Sequence, residues 1–330
     1  MVAVPRWVVA LPADGAAAAG GPSSGRAPSS TPFQLGGRFG YVRPDGAVTY
    51  VGTTLYQVAL STSGFINFTR LGTDWILQDS AGRPVSGFSG SGYPLLSPDG
   101  SRLFMVKTDL SGLRECDRGG ETLWDRDFPT LVTCLSVQGD RVLVGLLDGS
   151  LHALNRQGSP VFDYAPAGSR VPVMVGCAVS PDGSHAAAVS GIDPQYLTVL
   201  ARRDTGFTPD WKTPLPDQFR REVRVNFSGD ARLLLVEGLG RAGLVDVGHR
   251  GLRWIAVQGA LAGAAFPDGG RGVALLSRDG ATARLVIEPS SGAAVCREQF
   301  PARDVFVGSI DGQLLLGLDG RLLRIDLEAL

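Results

Sequence analysis

The sequence predicts an all-β fold, a closed ring of short four-stranded sheets, and three features predict it. Glycine and proline supply 45 and 21 of the 330 residues, about one in five where an ordinary globular chain has roughly one in eight, so the chain turns unusually often. Helical periodicity of useful length is absent, and the apolar runs are short and bounded by turn residues, as strands are. The third feature is a restated phrase: Ser97-Pro98-Asp99-Gly100, Ser180-Pro181-Asp182-Gly183, Phe227-Ser228-Gly229-Asp230 and Phe266-Pro267-Asp268-Gly269 each separate two apolar strands. Proline pre-sets φ at a turn's second position, aspartate bonds its own backbone and glycine accepts positive φ, so each phrase is a hairpin turn by mechanism.

Arg6-Trp7-Val8-Val9-Ala10-Leu11-Pro12 reads as the first strand, and it resembles two later fourth-strand phrases, Leu123-Trp124-Asp125-Arg126-Asp127-Phe128-Pro129 and Trp211-Lys212-Thr213-Pro214-Leu215-Pro216. At the other end Gln313 to Leu316 and Arg321 to Leu327 supply a second and a third strand but no fourth. The N-terminal strand is therefore expected to complete the C-terminal sheet, hiding two strand edges at once. Residues 13–31, rich in Ala, Gly, Ser and Pro, are expected to form a flexible connector into the first sheet.

Looser turns at Gly36-Gly37, Thr62-Ser63-Gly64, Gln138-Gly139-Asp140 and Asp311-Gly312 extend the series, with centres near 36, 63, 99, 139, 182, 229, 268 and 311. The intervals are about 27, 36, 40, 43, 47, 39 and 43 residues, most of them near the roughly 40–45 of one four-stranded β-propeller blade. Eight turns predict eight blades over residues 1–330, about 41 residues each and one domain in all. The first interval has room for only three strands, so seven blades with an irregular N-terminal one is the alternative. Within one unit, Cys134 to Val137 and Arg141 to Leu147 are apolar nearly throughout, while Leu151, Ala153 and Val161 alternate with polar residues. That gradient predicts inner strands covered on both faces and an outer strand in water.

Two phrases carry a family resemblance. Cys116-Asp117-Arg118-Gly119-Gly120-Glu121-Thr122-Leu123-Trp124 and Asp148-Gly149-Ser150-Leu151-His152-Ala153-Leu154-Asn155-Arg156-Gln157-Gly158 resemble the blade phrase of quinoprotein-like (PQQ-type) propeller repeats, and the Ser-Pro-Asp-Gly turns are similar to those of WD40-like repeats. Gly248-His249 and Trp124-Asp125 each occur once, in different blades, so the WD40 pairing of Gly-His with Trp-Asp is missing. The resemblance implies a superfamily that holds both quinoprotein dehydrogenases, which bind calcium and the quinone, and non-enzymatic scaffolds such as BamB-like outer-membrane assembly lipoproteins. The dehydrogenases carry adjacent cysteines near the cofactor. No two cysteines here are adjacent in sequence, so the resemblance favours a scaffold without a cofactor.

Composition narrows the function classes further. With 31 basic and 32 acidic side chains the net charge is -1, which gives no general drive toward nucleic acid or an anionic membrane. Only Lys107 and Lys212 are lysines, a codon-composition effect to which no function is attached. No stretch approaches the roughly 18 apolar residues of a membrane span, and the N-terminus lacks the basic region of a signal peptide. The chain as written is expected to be cytoplasmic, or periplasmic or membrane-anchored if an export signal or anchor precedes Met1. Cys116, Cys134, Cys177 and Cys296 form no CxxC pair and read as small core residues.

Motifs for chemistry are weak. His152, His185 and His249 fall in separate blades and read as structural or surface histidines, not as a metal site. Asp125 and Asp127 read as a solvated outer strand around Arg126, not as paired catalytic acids. The Asp-Gly pairs are turns and not calcium loops, Gly36-Gly37 lacks the Lys-Ser/Thr of a phosphate loop, and Gly87-Phe88-Ser89-Gly90 misses the spacing of a nucleophile elbow. No catalytic, cofactor-binding or metal residue is assigned.

Loops say more. Turns joining second to third strands and loops joining one blade to the next emerge on one face, where unusual length builds a surface. Where other blades use a bare Asp-Gly, this chain has Asp109-Leu110-Ser111-Gly112 and Gly191-Ile192-Asp193-Pro194-Gln195-Tyr196. The inter-blade loops 165–172 and 214–224 lie on the same expected face. Asp109, Arg170, Asp193, Gln195, Tyr196, Phe219, Arg220, Arg221 and Arg224 are thus the candidate interaction residues, Tyr and Arg being typical interface anchors. The function expected is a monomeric, non-catalytic scaffold binding a protein partner through this face. The alternative is a small-ligand binder or enzyme using the central channel, marked by at least three convergent carboxylates or histidines.

Overall fold

A computed structural model describes residues 4–12, 30–204, 206–292 and 296–327. Strand β1 (Val4–Ala10) comes first. Blade 1 is β2 (Thr31–Leu35), β3 (Arg38–Val42) and β4 (Val48–Thr53). Blade 2 is β5 (Gln57–Leu60), β6 (Gly64–Phe68), β7 (Asp74–Asp79) and β8 (Pro84–Ser89). Blade 3 is β9 (Tyr93–Leu96), β10 (Leu103–Val106), β11 (Gly112–Cys116) and β12 (Thr122–Asp127). Blade 4 is β13 (Val132–Gln138), β14 (Arg141–Leu146), β15 (Leu151–Leu154) and β16 (Pro160–Tyr164). Blade 5 is β17 (Val171–Val179), β18 (His185–Ile192), β19 (Gln195–Arg203) and β20 (Gly206–Leu215). Blade 6 is β21 (Val225–Phe227), β22 (Leu233–Gly238), β23 (Arg241–Asp246) and β24 (Gly251–Ala256). Blade 7 is β25 (Ala260–Ala265), β26 (Gly272–Asp279), β27 (Thr282–Pro289) and β28 (Cys296–Pro301). Blade 8 is β29 (Val305–Ile310), β30 (Gln313–Leu318) and β31 (Arg321–Asp326), with β1 as its outer strand.

The molecule is an eight-bladed β-propeller; among the described residues seven sheets have four strands and blade 1 has three. Closure follows the expected route: β1 pairs antiparallel with β31 from Val4 opposite Asp326 to Ala10 opposite Arg321. The connector expected at residues 13–31 falls mostly on 13–29, outside the described residues, and Thr31 already belongs to β2. Eight apolar clusters, each between two adjacent blades, take the place of one central core.

The turn phrases fold as their chemistry requires. In Ser97-Pro98-Asp99-Gly100 the Ser97 hydroxyl donates to Asp99 Oδ1 (2.6 Å) and accepts from the Arg102 amide (3.0 Å), while Asp99 Oδ1 accepts from the Ser101 amide (3.0 Å). Ser180 with Asp182, and Ser228 with Asp230, repeat the device. Serine is therefore as much a part of the turn as proline and glycine.

Gly36-Gly37 joins the first two strands of its blade, as expected, but opens on the opposite face from the other seven first turns. Arg38 donates to the carbonyl of Pro12, just past the end of β1, and a Cβ on Gly36 would lie 2.5 Å from Asp304 Oδ2, beside the start of β29. Tyr41, near the end of β3, donates to the Ser61 carbonyl in the first turn of blade 2 (3.0 Å). Blade 1 therefore runs in the sense of the second, third and fourth strands of the other blades.

Burial differs from the expected gradient. The second strands are the covered ones: β22 is buried at every position. Among the innermost strands β9 and much of β13 alternate, one side looking into the channel, while β17 is buried from Val173 to Val179. The outer strands β8 and β12 are mostly exposed, as expected.

Candidate functional site

The upper face, formed by the second-to-third strand turns and the inter-blade loops, holds all nine candidate residues, but as two groups. Asp109 stands in the β10–β11 turn of blade 3, where its carboxylate accepts from the Ser111 amide (3.0 Å) and hydroxyl (2.7 Å). The other eight gather around the upper end of blade 5, from Arg170 in the loop before it to Arg224 in the loop after it.

Several of the eight serve the fold. Gln195 is fully buried; its amide donates to the carbonyls of Gly191 (2.9 Å) and Phe219 (3.1 Å) and accepts from the Phe219 amide (3.2 Å). Phe219 is buried too. These two are a clamp on the loop and not surface anchors, a correction to the sequence expectation. Arg221 stacks over the Phe219 ring at 4.8 Å and pairs with Glu237 at 2.6 Å, a bond that raises the guanidinium pKa. Tyr196 is half-buried beneath Lys212 Nζ, 3.9 Å from the ring centroid. Arg170 pairs with Asp193 at 2.9 Å, and Arg224 gives its backbone amide to Glu237 Oε2 (3.1 Å). Arg220 is exposed, with no side-chain hydrogen bond or ion pair to another described residue.

The expected long loop at 191–196 is also corrected. Strands β18 and β19 run on until only Asp193-Pro194 remains between them. Blade 5 departs from the rhythm by longer strands, eight to ten residues each, joined at the upper end by a tight turn.

Apolar exposure marks the upper face more clearly than arginine does. Twelve large apolar side chains are exposed among the described residues. Eight sit at the upper face, seven on its turns and loops and one at the first residue of a strand: Leu55 and Tyr56 before β5, Leu71 after β6, Leu110 in the β10–β11 turn, Leu131 before β13, Leu147 after β14, Leu239 after β22, and Val171 opening β17. Val8, Ile76, Val85 and Leu123 lie within β1, β7, β8 and β12, and none of the twelve is on a lower-face turn. Sequence reading missed this, because a leucine beside a strand end carries no mark of which way it points.

Inside the upper mouth of the channel a cavity of about 530 Å³ is lined by Tyr56, Tyr93, Thr108, Leu110, Thr133 and Glu222 among others. It shares Leu135 and Glu222 with a neighbouring cavity of about 380 Å³ that also touches Arg224 and Glu237. Glu222 is exposed but stands in the walls of both cavities, and the partial loss of water there raises its carboxyl pKa from the ordinary value. Cys134 and Cys177, on β13 and β17, lie beside each other as free thiols; contact with Cys134 and then burial push the Cys177 thiol up. The channel alternative asked for three convergent carboxylates or histidines, and no group of three His, Cys, Asp or Glu among the described residues could hold a metal ion.

The remaining chemical candidates are engaged locally. His152 bonds Asp163 across β15 and β16, His185 contacts the Ser184 hydroxyl at 2.7 Å, and exposed His249 pairs with Asp246 at 3.0 Å. Lys107 bridges Asp125 and Asp127, while Arg114 binds Asp125 at 2.7 Å. No helix among the described residues is long and apolar enough to cross a membrane.

Fold and face together define a closed propeller with a distinct loop surface. The chain belongs to the beta-propeller protein family, which it matches over residues 1–330. It is 21% identical over 299 residues to an uncharacterized protein of Treponema pallidum (strain Nichols), covering 91% of this chain and 79% of that one. Among solved structures it is similar to BamB from Moraxella catarrhalis (TM-score 0.62, 14% identity, 99% of this chain and 100% of that one). It is similar to a chain of the mitotic checkpoint complex (TM-score 0.61, 15% identity, 95% and 97%). The Cps50 (Swd1) β-propeller domain of Myceliophteria thermophila is a further likeness (TM-score 0.56, 13% identity, 83% and 97%). The family match bears out the β-propeller superfamily reached from the repeat phrases, and the solved structures share its fold.

Proposed function

We propose that this propeller is a non-catalytic scaffold that holds a protein partner against its upper face. One observation carries the reading: eight of the twelve exposed large apolar side chains among the described residues lie at the upper face, seven of them on its turns and loops, and none on the lower-face turns. Exposed apolar clusters on a soluble domain mark contact surfaces, since leaving them in water forgoes about 25 cal/mol for each Å². The balanced charge of -1 supports a protein partner over a polyanion. That one similar structure is a chain of a complex agrees with this reading.

A photo-cross-linking residue at Leu131 or Leu147 should trap one discrete partner in the cells that express the protein, identified by mass spectrometry. The same residue at Gln157, on the lower face, should not. Equal trapping from both faces would remove the assignment.

A further inference from the structure

The exposed apolar residues around the channel mouth are continuous. The Val132 amide donates to the Leu110 carbonyl (2.8 Å), and the Leu147 amide donates to the Leu131 carbonyl (2.9 Å), so three exposed leucines sit on hydrogen-bonded neighbouring turns. The arc continues past Gly149, where a Cβ would be 3.0 Å from Pro172 Cβ, to Val171. At its inner edge Leu110 and Tyr56 wall the cavity of about 530 Å³. Glu222 is the one charged side chain in that wall. Its carboxylate makes no hydrogen bond or ion pair to another described residue, whereas Glu237 close by is taken up by Arg221 (2.6 Å) and the Arg224 amide (3.1 Å). An exposed carboxylate in a cavity wall with no protein partner is free to pair with an incoming cation, and the protein around it makes that attraction stronger than in open water.

We propose that the arc and cavity receive a partner segment that carries a lysine or arginine between apolar residues. The apolar residues cover Leu110, Leu131 and Leu147. The basic side chain enters the mouth toward Glu222, where the rings of Tyr56 and Tyr93 suit its alkyl stem and its charge. In the adjoining cavity the charges balance, Arg221 and Arg224 against Glu222 and Glu237, whereas the larger cavity presents Glu222 alone, so there a basic side chain meets a carboxylate and an acidic one meets only repulsion. This rests on the reading of the upper face as a protein-binding surface, and adds the chemistry of what binds.

The test is selection from a phage-displayed random dodecapeptide library on the full chain. Enriched peptides should carry a Lys or Arg flanked by apolar residues. A labelled winner should lose at least tenfold in affinity with Glu222→Gln and with Leu131→Asp plus Leu147→Asp, but not with Gln157→Asp. Thermal unfolding of each variant checks that the fold is kept. Should Leu131→Asp plus Leu147→Asp also unfold the chain, Leu131→Ser plus Leu147→Ser takes its place. Winners without a basic residue, or unmoved by Glu222→Gln, overturn this inference while the leucine dependence keeps the face. Winners that respond at Gln157 and not at the leucines overturn both. No enrichment, or self-association through the arc seen by light scattering, overturns the inference as well.

Discussion

Arg102 and Glu115 form an ion pair with side-chain exposures of 0% and 2%, and almost every polar atom they carry is used. Arg102 Nε and Nη2 meet the two carboxylate oxygens at 2.8 and 2.6 Å, Nη1 reaches the Gly139 carbonyl in the next blade at 3.0 Å, and Trp124 Nε1 adds a bond to Glu115 Oε2 at 2.7 Å. Removing one partner strands the other charge, so Glu115→Ala should cost about 3–5 kcal/mol in urea unfolding. Arg102→Leu with Glu115→Leu should cost less than Glu115→Ala alone, since no buried charge is then left over. The turn carboxylates make a second prediction. Burial alone would raise the Asp99 and Asp182 carboxyls, but bonds from Ser97 and Ser101, and from Ser180 and Ser184, outweigh it and hold both below their ordinary value. A folded pKa below the unfolded one gives stability that is complete above the unfolded value, about 3.9, and lost as pH falls through the folded value. Ser97→Ala with Ser180→Ala should therefore unfold at lower urea than wild type at pH 7, and the gap should narrow below about pH 4. A gap independent of pH would show that the serines act through their backbone bonds alone.

Between blades, an aromatic ring on an outer strand sits on a glycine in the next blade's outer turn. Trp124 lies 2.5 Å from where a Cβ on Gly158 would be, Phe88 2.4 Å from that of Gly120, Tyr50 2.4 Å from that of Gly82, and Trp7 3.0 Å from that of Gly46. The Trp and Gly of the repeat phrase are thus two halves of one joint in neighbouring blades. Gly158→Ala should be more destabilising than Gly139→Ala by about 1–3 kcal/mol. Both glycines have positive φ, 72° and 53°, but a Cβ at Gly139 meets nothing within 4 Å. In a Trp124→Ala background the difference should shrink; if it persists, the ring is not the obstacle. The phrases made the turns and strands legible, because Ser-Pro-Asp-Gly dictates its own backbone. They did not reveal the joint, whose partners lie 32 to 39 residues apart in different sheets. For the same reason the site was only half legible. Adjacent Leu146 and Leu147 are 0% and 46% exposed, and Glu222 stands out from Glu237 only once Arg221 is seen to be spent on the latter.

Across the whole ring, spacing counted the blades correctly, since a blade's length is set by four short strands and their turns. It could not orient blade 1, because a Gly-Gly turn says that the chain reverses and not on which face. Closure depends on a strand far from its partners in sequence. β1 pairs along β31, Arg6 reaches Asp326 at 2.9 Å, Trp7 Nε1 donates to the Pro44 carbonyl at 3.0 Å in blade 1, and the Leu11 amide donates to Gly320 at 2.8 Å. β1 therefore both completes blade 8 and docks it on blade 1, while Trp7 with Val9 and Leu11 packs on the cluster between them. Without residues 1–12, β31 becomes a bare edge and that cluster opens, and bare edges recruit other strands. The shortened chain should melt lower by on the order of 10 °C and form dimers or larger species by light scattering. A synthetic peptide of residues 4–12 added in excess should restore the parent's melting temperature and its size by light scattering, because the ring supplies its binding site. A monodisperse shortened chain with the parent's melting temperature would mean that the other seven blade contacts hold the ring closed without it.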